Sequence, residues 1–107
     1  MTPDTNAQDL AGSAPQPAAE ARRTVEICNQ RGLHARAAAR FVKTAAQFNA
    51  EVSVRKNGTA VSGRSIMGLM MLAAASGAVI EIAATGPDAA AAVDTLARLI
   101  ECKFDED

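Results

Sequence analysis

Glu51-Val52-Ser53-Val54-Arg55-Lys56-Asn57-Gly58-Thr59-Ala60-Val61-Ser62 is the stretch that decides the fold. Val52 and Val54 alternate with Glu51, Ser53 and Arg55, the period of a half-buried strand. Asn57-Gly58 then supplies the positive backbone angles of a two-residue hairpin turn, and Thr59 to Ser62 returns. The chain doubles back on itself here, so at least this part of the sheet is antiparallel.

Toward the C-terminus, Gly63-Arg64-Ser65 leads into Ile66-Met67-Gly68-Leu69-Met70-Met71-Leu72, which is too rich in methionine and leucine for a solvated loop. Ser65 is a good N-cap residue, and the run reads as a short helix weakened by Gly68. After Ser76-Gly77, the run over 78–84 places Ile80 and Ile82 on one face of a further strand. Gly86-Pro87-Asp88 opens a last helix, with Ala89, Val93, Leu96, Leu99 and Ile100 as its apolar stripe, ending near Lys103.

Toward the N-terminus, Ala38, Phe41, Val42, Ala45 and Phe48 recur at three- and four-residue steps and predict a helix over 35–47. Before it come the turn Asn29-Gln30-Arg31-Gly32 and a strand over 24–29 in which Val25 and Ile27 alternate with polar neighbours. The order is βαββαβα. Four strands with an apolar face and three helices with apolar stripes solve one burial problem together. The class is α+β: a two-layer open-faced sandwich in which three helices cover one face of a four-stranded antiparallel sheet, leaving the other wet.

Residues 1 to 22 are rich in Ala, Pro, Gln, Asp and Ser and carry Leu10 as their one large aliphatic residue beyond Met1. They cannot bury enough surface to offset ordering entropy and read as a disordered tail, with the folded domain over 23–107. At 107 residues and 49% apolar composition, the chain suits one domain with a shallow working surface. Its 11 basic and 12 acidic residues nearly cancel, which argues against nucleic acid or anionic lipid as the default partner. The absence of Trp and Tyr removes the usual stacking platforms.

Cys28 and Cys102 have no companions at metal-ligand spacing, so neither a metal site, a bound cofactor nor a disulfide framework is suggested. No apolar run is long enough to span a bilayer, and the start of the chain lacks the features of a secretory signal. The reading is a cytoplasmic protein with reduced thiols and no membrane insertion.

His34, the single histidine, stands where a glycine-containing turn meets the first helix. The first turn of a helix has amides without intrahelical partners and a partial positive charge, so an anion bound there gains both. Imidazole is substantially neutral, hence nucleophilic, near neutral pH and can attack phosphorus without a separate strong base. Arg36, two residues on, can pair with phosphoryl oxygens, while Gly32 lets the turn bend and Leu33 anchors it. Against this stands the plainer reading of His34 as a cap or surface residue and Arg36 as a solvated helix-start residue. The residues alone leave anion binding and phosphoryl transfer both open.

Gly32-Leu33-His34-Ala35-Arg36, followed by Ala38-Ala39, resembles the phosphohistidine motif of the HPr family of phosphocarriers. Phe41-Val42-Lys43, the Asn57-Gly58 hairpin, Ser65-Ile66-Met67-Gly68 and the closing helix follow in the family's order and spacing, over residues from about 23 to 104. The resemblance implies that His34 receives a phosphoryl group on Nδ1 from phosphorylated enzyme I, itself charged by phosphoenolpyruvate. It passes the group to a histidine of an enzyme IIA domain, without independent turnover. Arg36 matches the family's phosphate-stabilising arginine. Ala37 stands where many members have proline, which leaves the first turn looser and resembles the nitrogen-related branch that serves regulatory IIA proteins rather than sugar permeases.

Ser65 reads first as an N-cap, yet Ser65-Ile66-Met67-Gly68 is similar to the segment phosphorylated by the HPr kinase/phosphorylase in carriers under serine control. Ile66, Met67, Met70 and Met71 cannot all point inward from so short a helix. Flexible methionine suits a surface that meets several partners in turn, while Leu69 and Leu72 belong to the core. By resemblance, Ile66, Met67 and Met70 join Ala35, Ala39 and Lys43 in a docking face beside His34, and a monomer suits serial docking. A different class of function is a regulatory binding module controlled by Ser65 phosphorylation, with His34 as a structural cap.

Overall fold

A computed structural model describes residues 20–105. Strand β1 runs Glu20–Glu26, helix α1 Ala35–Ala45, β2 Glu51–Lys56, β3 Thr59–Ser62, α2 Ile66–Met71, β4 Val79–Thr85 and α3 Ala89–Glu101, closed by a 3₁₀ turn over Lys103–Asp105. The expected order and antiparallel sheet are those observed. The strands lie side by side as β1-β4-β2-β3, with β4 between β1 and β2.

The hairpin reading is met in detail: Lys56 pairs with Thr59, and Asn57 and Gly58 hold φ of 50° and 86°. Period-two alternation buries Val25, Val52, Val54, Ile80, Ile82 and Ala84 on the face toward the helices. Cross-strand register then stacks Val54 against Ile82 and Val61, and Val25 against Ile80. The other face carries Arg22, Thr24, Ser53, Arg55 and Glu81, none of them buried. From the helices, Leu69, Leu72, Phe41, Val93, Leu96 and Ile100 close the core, as their spacing predicts.

Several boundaries differ from the sequence reading, those of the second helix and fourth strand by a single residue. Strand β1 spans Glu20–Glu26 rather than 24–29, so Glu20, Ala21 and Arg22 of the expected tail belong to the sheet, opposite Thr85, Ala84 and Ala83. Partnership with β4 orders residues whose own hydrophobicity is too low to predict it. The rest of that tail, residues 1–19, lies outside the described residues, as do 106 and 107. Helix α1 ends at Ala45 rather than residue 47, where Gln47 and Phe48 donate to Thr44 O and Ala45 O in tighter turns. Helix α3 stops at Glu101, and Lys103, Phe104 and Asp105 take positive φ, which turns the chain back and buries Phe104 completely.

Candidate functional site

The loop between β1 and α1 is pinned at both ends of its path. Ile27 exchanges backbone bonds with Ala78 and Gly77, the Gly32 amide donates to Asn29 O at 3.2 Å, and the Leu33 amide donates to Ala74 O at 2.8 Å. Leu33 is 5% exposed and anchors the loop as its apolar character predicts. Gly32 holds φ of 67°, and a Cβ there would lie 2.5 Å from Ala74 O. Only glycine combines that angle with so close an approach.

His34 follows as the N-cap of α1, in extended conformation, and its side chain makes no capping bond. The half-buried imidazole instead places Nδ1 3.0 Å from Gly32 O. A carbonyl only accepts, so this contact is a hydrogen bond when Nδ1 carries the proton. Helical bonding begins with Ala38 N–H to His34 O at 2.8 Å, so the amides of Ala35, Arg36 and Ala37 precede the first intrahelical bond. No acidic residue stands in this first turn. Between Glu26 and Glu51 the chain carries Arg31, Arg36, Arg40 and Lys43 and no carboxylate; between Glu51 and Glu81 it carries Arg55, Lys56 and Arg64 and again none. The near-zero net charge conceals a basic stretch of chain over residues 27–80, and this stretch contains His34.

A shallow depression of about 230 Å³ holds His34 together with Arg31, Leu33, Ala73, Ala74 and Ala75. Arg36 is exposed and lines a separate groove along α1 with Ala39, Arg40 and Lys43. Helix α2 packs against α1 and presents Ile66, Met67, Met70 and Met71 to solvent, at 40%, 71%, 41% and 79% exposure. So the proposed docking residues lie on two packed helices. Ala35 is exposed at the start of α1. A further concavity of about 460 Å³ lies on the open sheet face between Arg22, Arg55 and Glu81 and contains none of these residues.

Ser65 is the N-cap of α2, and its Oγ accepts from the Gly68 amide at 2.9 Å. The capping reading is therefore observed. Sequence reasoning passed over three residues near these elements. Arg31 shares the depression with His34, Lys56 donates to Leu72 O at the end of α2, and Asn29 is fully buried beneath the loop. A polar residue closing a strand is the one signal that could have marked Asn29; its burial depends on contacts across the fold.

Among the described residues, no group of three or more His, Cys, Asp or Glu is placed to hold a metal ion. No helix of the described residues is long and apolar enough to cross a membrane. Cys28 and Cys102 are free thiols, the former donating to Ile100 O at 3.2 Å.

The family described as "PTS HPr component phosphorylation site" matches residues 21–102. The chain is 53% identical over 85 residues to phosphocarrier protein HPr of Neisseria meningitidis serogroup B, covering 79% of this chain and 96% of that protein. It is 42% identical over 84 residues to phosphocarrier protein NPr of Shewanella violacea, covering 78% and 92%. Its fold superposes on the crystal structure of HPr-C-His from Thermoanaerobacter tengcongensis with a TM-score of 0.78 and 44% identity, over 81% of this chain and 98% of that one.

Proposed function

The chain belongs to the HPr family of phosphocarrier proteins of the phosphotransferase system, and from that premise we propose that His34 is its phosphoryl acceptor, loaded by phosphorylated enzyme I and discharged to enzyme IIA proteins. The observation that carries the reading is an imidazole at the head of α1 that does not cap the helix, in an open depression that it shares with Arg31.

In the transfer, a ring nitrogen lone pair forms the N–P bond while the bond from phosphorus to the donor breaks and its electron pair leaves with the donor. Delivery to a IIA histidine reverses the roles. The family resemblance supports a linkage on Nδ1, which the resting ring holds against Gly32 O. Acceptance therefore requires that contact to be released, with the Nδ1 proton lost and Nε2 taking one up, and the ring turned toward the amides of Ala35 to Ala37. Those amides and the Arg36 guanidinium hold the phosphoryl oxygens.

Ala35, Ala39, Lys43, Ile66, Met67 and Met70 form the docking face used by successive partners. Ala37, in place of the proline of many relatives, favours acceptors of the nitrogen-related, regulatory kind, and an NPr stands beside the HPr proteins among its relatives. Ser65 serves as a second phosphorylation site for an HPr kinase/phosphorylase. Its place at the head of α2 fits a phosphoserine whose charge lies against free amides.

Incubation with phosphoenolpyruvate and the cognate enzyme I, followed by intact mass spectrometry, should add one acid-labile phosphate to the wild type and none to His34→Ala. Equal labelling of the two proteins would sink the proposal.

A further inference from the structure

We propose that Asn29 is a positioning residue that sets the tautomer and orientation of the His34 imidazole through the Gly32 carbonyl. The inference rests on the reading of His34 as the phosphoryl acceptor.

Asn29 is the one buried polar or charged residue among the described residues, with no exposed surface. Its Nδ2 donates to Gly32 O at 2.9 Å, and its own backbone carbonyl accepts the Gly32 amide at 3.2 Å. The Oδ1 atom is buried and has no hydrogen-bond partner among the described residues. A half-satisfied buried amide stabilises a core less well than an aliphatic side chain of the same shape, so its use here lies in what it holds.

It holds one peptide plane. The Gly32–Leu33 peptide is fixed at its N–H end by Ala74 O, 2.8 Å away, and at its C=O end by Asn29 Nδ2. That carbonyl has a second lone pair, and His34 Nδ1 lies on it at 3.0 Å. A fixed acceptor at this distance favours the Nδ1–H tautomer, the one that free histidine disfavours in water. The resting ring is thereby kept in one orientation, with its Nδ1 proton on a carbonyl that Asn29 prevents from turning away.

The test uses the ¹⁵N-labelled full chain without enzyme I, and long-range ¹H–¹⁵N spectra of the neutral imidazole. His34 is the single histidine, so the signals need no assignment. The wild type should be mainly Nδ1–H. In Asn29→Leu, which keeps the branched shape and lacks the donor, the Nδ1–H to Nε2–H ratio should fall about fivefold, the factor that a typical net hydrogen bond is worth. Asn29→Ala should move it the same way.

A wild-type ring mainly in the Nε2–H form would overturn the proposal whether or not the variants fold. So would a folded Asn29→Leu with an unchanged ratio, since a purely structural role leaves the tautomer where it was. Because no phosphoryl donor is present, failure here is distinct from failure of His34 to accept phosphate.

Discussion

Replacing Gly32 by alanine tests whether the loop before His34 is held by contact with the segment after α2. The φ of 67° costs an L-residue about 1–2 kcal/mol. Stiffening of the unfolded chain by alanine offsets about 0.4–1 kcal/mol of that. The larger effect comes from space: the new Cβ would lie 2.5 Å from Ala74 O and 2.8 Å from Ala75 Cα, both backbone atoms that cannot swing aside. Ala74 O is also the acceptor of the Leu33 amide. Retreat from the methyl group stretches that bond, at about 1–3 kcal/mol.

The net destabilisation is about 2–4 kcal/mol, which in a domain of this size lowers Tm by roughly 10–25 °C. Gly58→Ala is the control. Gly58 has φ of 86° and nothing within 4 Å of an added Cβ, so alanine there bears only the conformational cost, at most about 1.5 kcal/mol. Scanning calorimetry and urea titration of the two variants separate packing from backbone preference. If Gly32→Ala loses no more stability than Gly58→Ala, the close approach of the loop to Ala74 and Ala75 is not a real constraint and the reasoning fails.

Three further outcomes follow from the same geometry. Arg36→Ala should slow phosphoryl acceptance by about 10- to 100-fold, the worth of a charge-assisted hydrogen bond in the transition state, with Tm unchanged; an unaltered rate in rapid-quench kinetics would remove Arg36 from the site. Ser65→Ala should cost about 1 kcal/mol, because the Gly68 amide loses its acceptor, and should abolish any acid-stable phosphate added by ATP and the cognate kinase; a Tm equal to wild type would contradict the cap. Met67→Asp alters a side chain that is 71% exposed, so stability should stay within about 0.5 kcal/mol while the KM for enzyme I rises; unchanged transfer kinetics would exclude Met67 from the docking face.

Much of the site was legible because its signals are local. A helix start is written in the few residues around it, so His34, Arg36 and Ser65 could be placed at the heads of α1 and α2 before any contact was known. That some of Ile66, Met67, Met70 and Met71 must be exposed followed from counting apolar residues on a helix too short to bury them all; that all four are exposed did not. Taken only as a sum, charge looked neutral; the run from 27 to 80, which has seven cations and Glu51 as its one carboxylate, is itself written along the chain, whereas the sharing of one depression by Arg31 and His34 is not. Asn29 and Arg31 read as turn residues, which they are, and nothing adjacent to them announces that one is buried and the other lines the depression with the histidine.

By itself, then, the sequence determined what depends on neighbours: the Asn57-Gly58 reversal, the alternation of Val52 and Val54, the helical stripes, and a histidine at a helix N-terminus. Backbone angle preference and side-chain period act over a handful of residues, and no partner is needed to express them. Tertiary structure alone decided that β4 enters between β1 and β2, and that Glu20 to Arg22 join the sheet by pairing with it. It likewise decided that Phe104 turns back into the core and that Gly32 meets Ala74 across the fold. Each of these joins residues distant in sequence, where the energy belongs to the pair and neither partner's own stretch of sequence carries it.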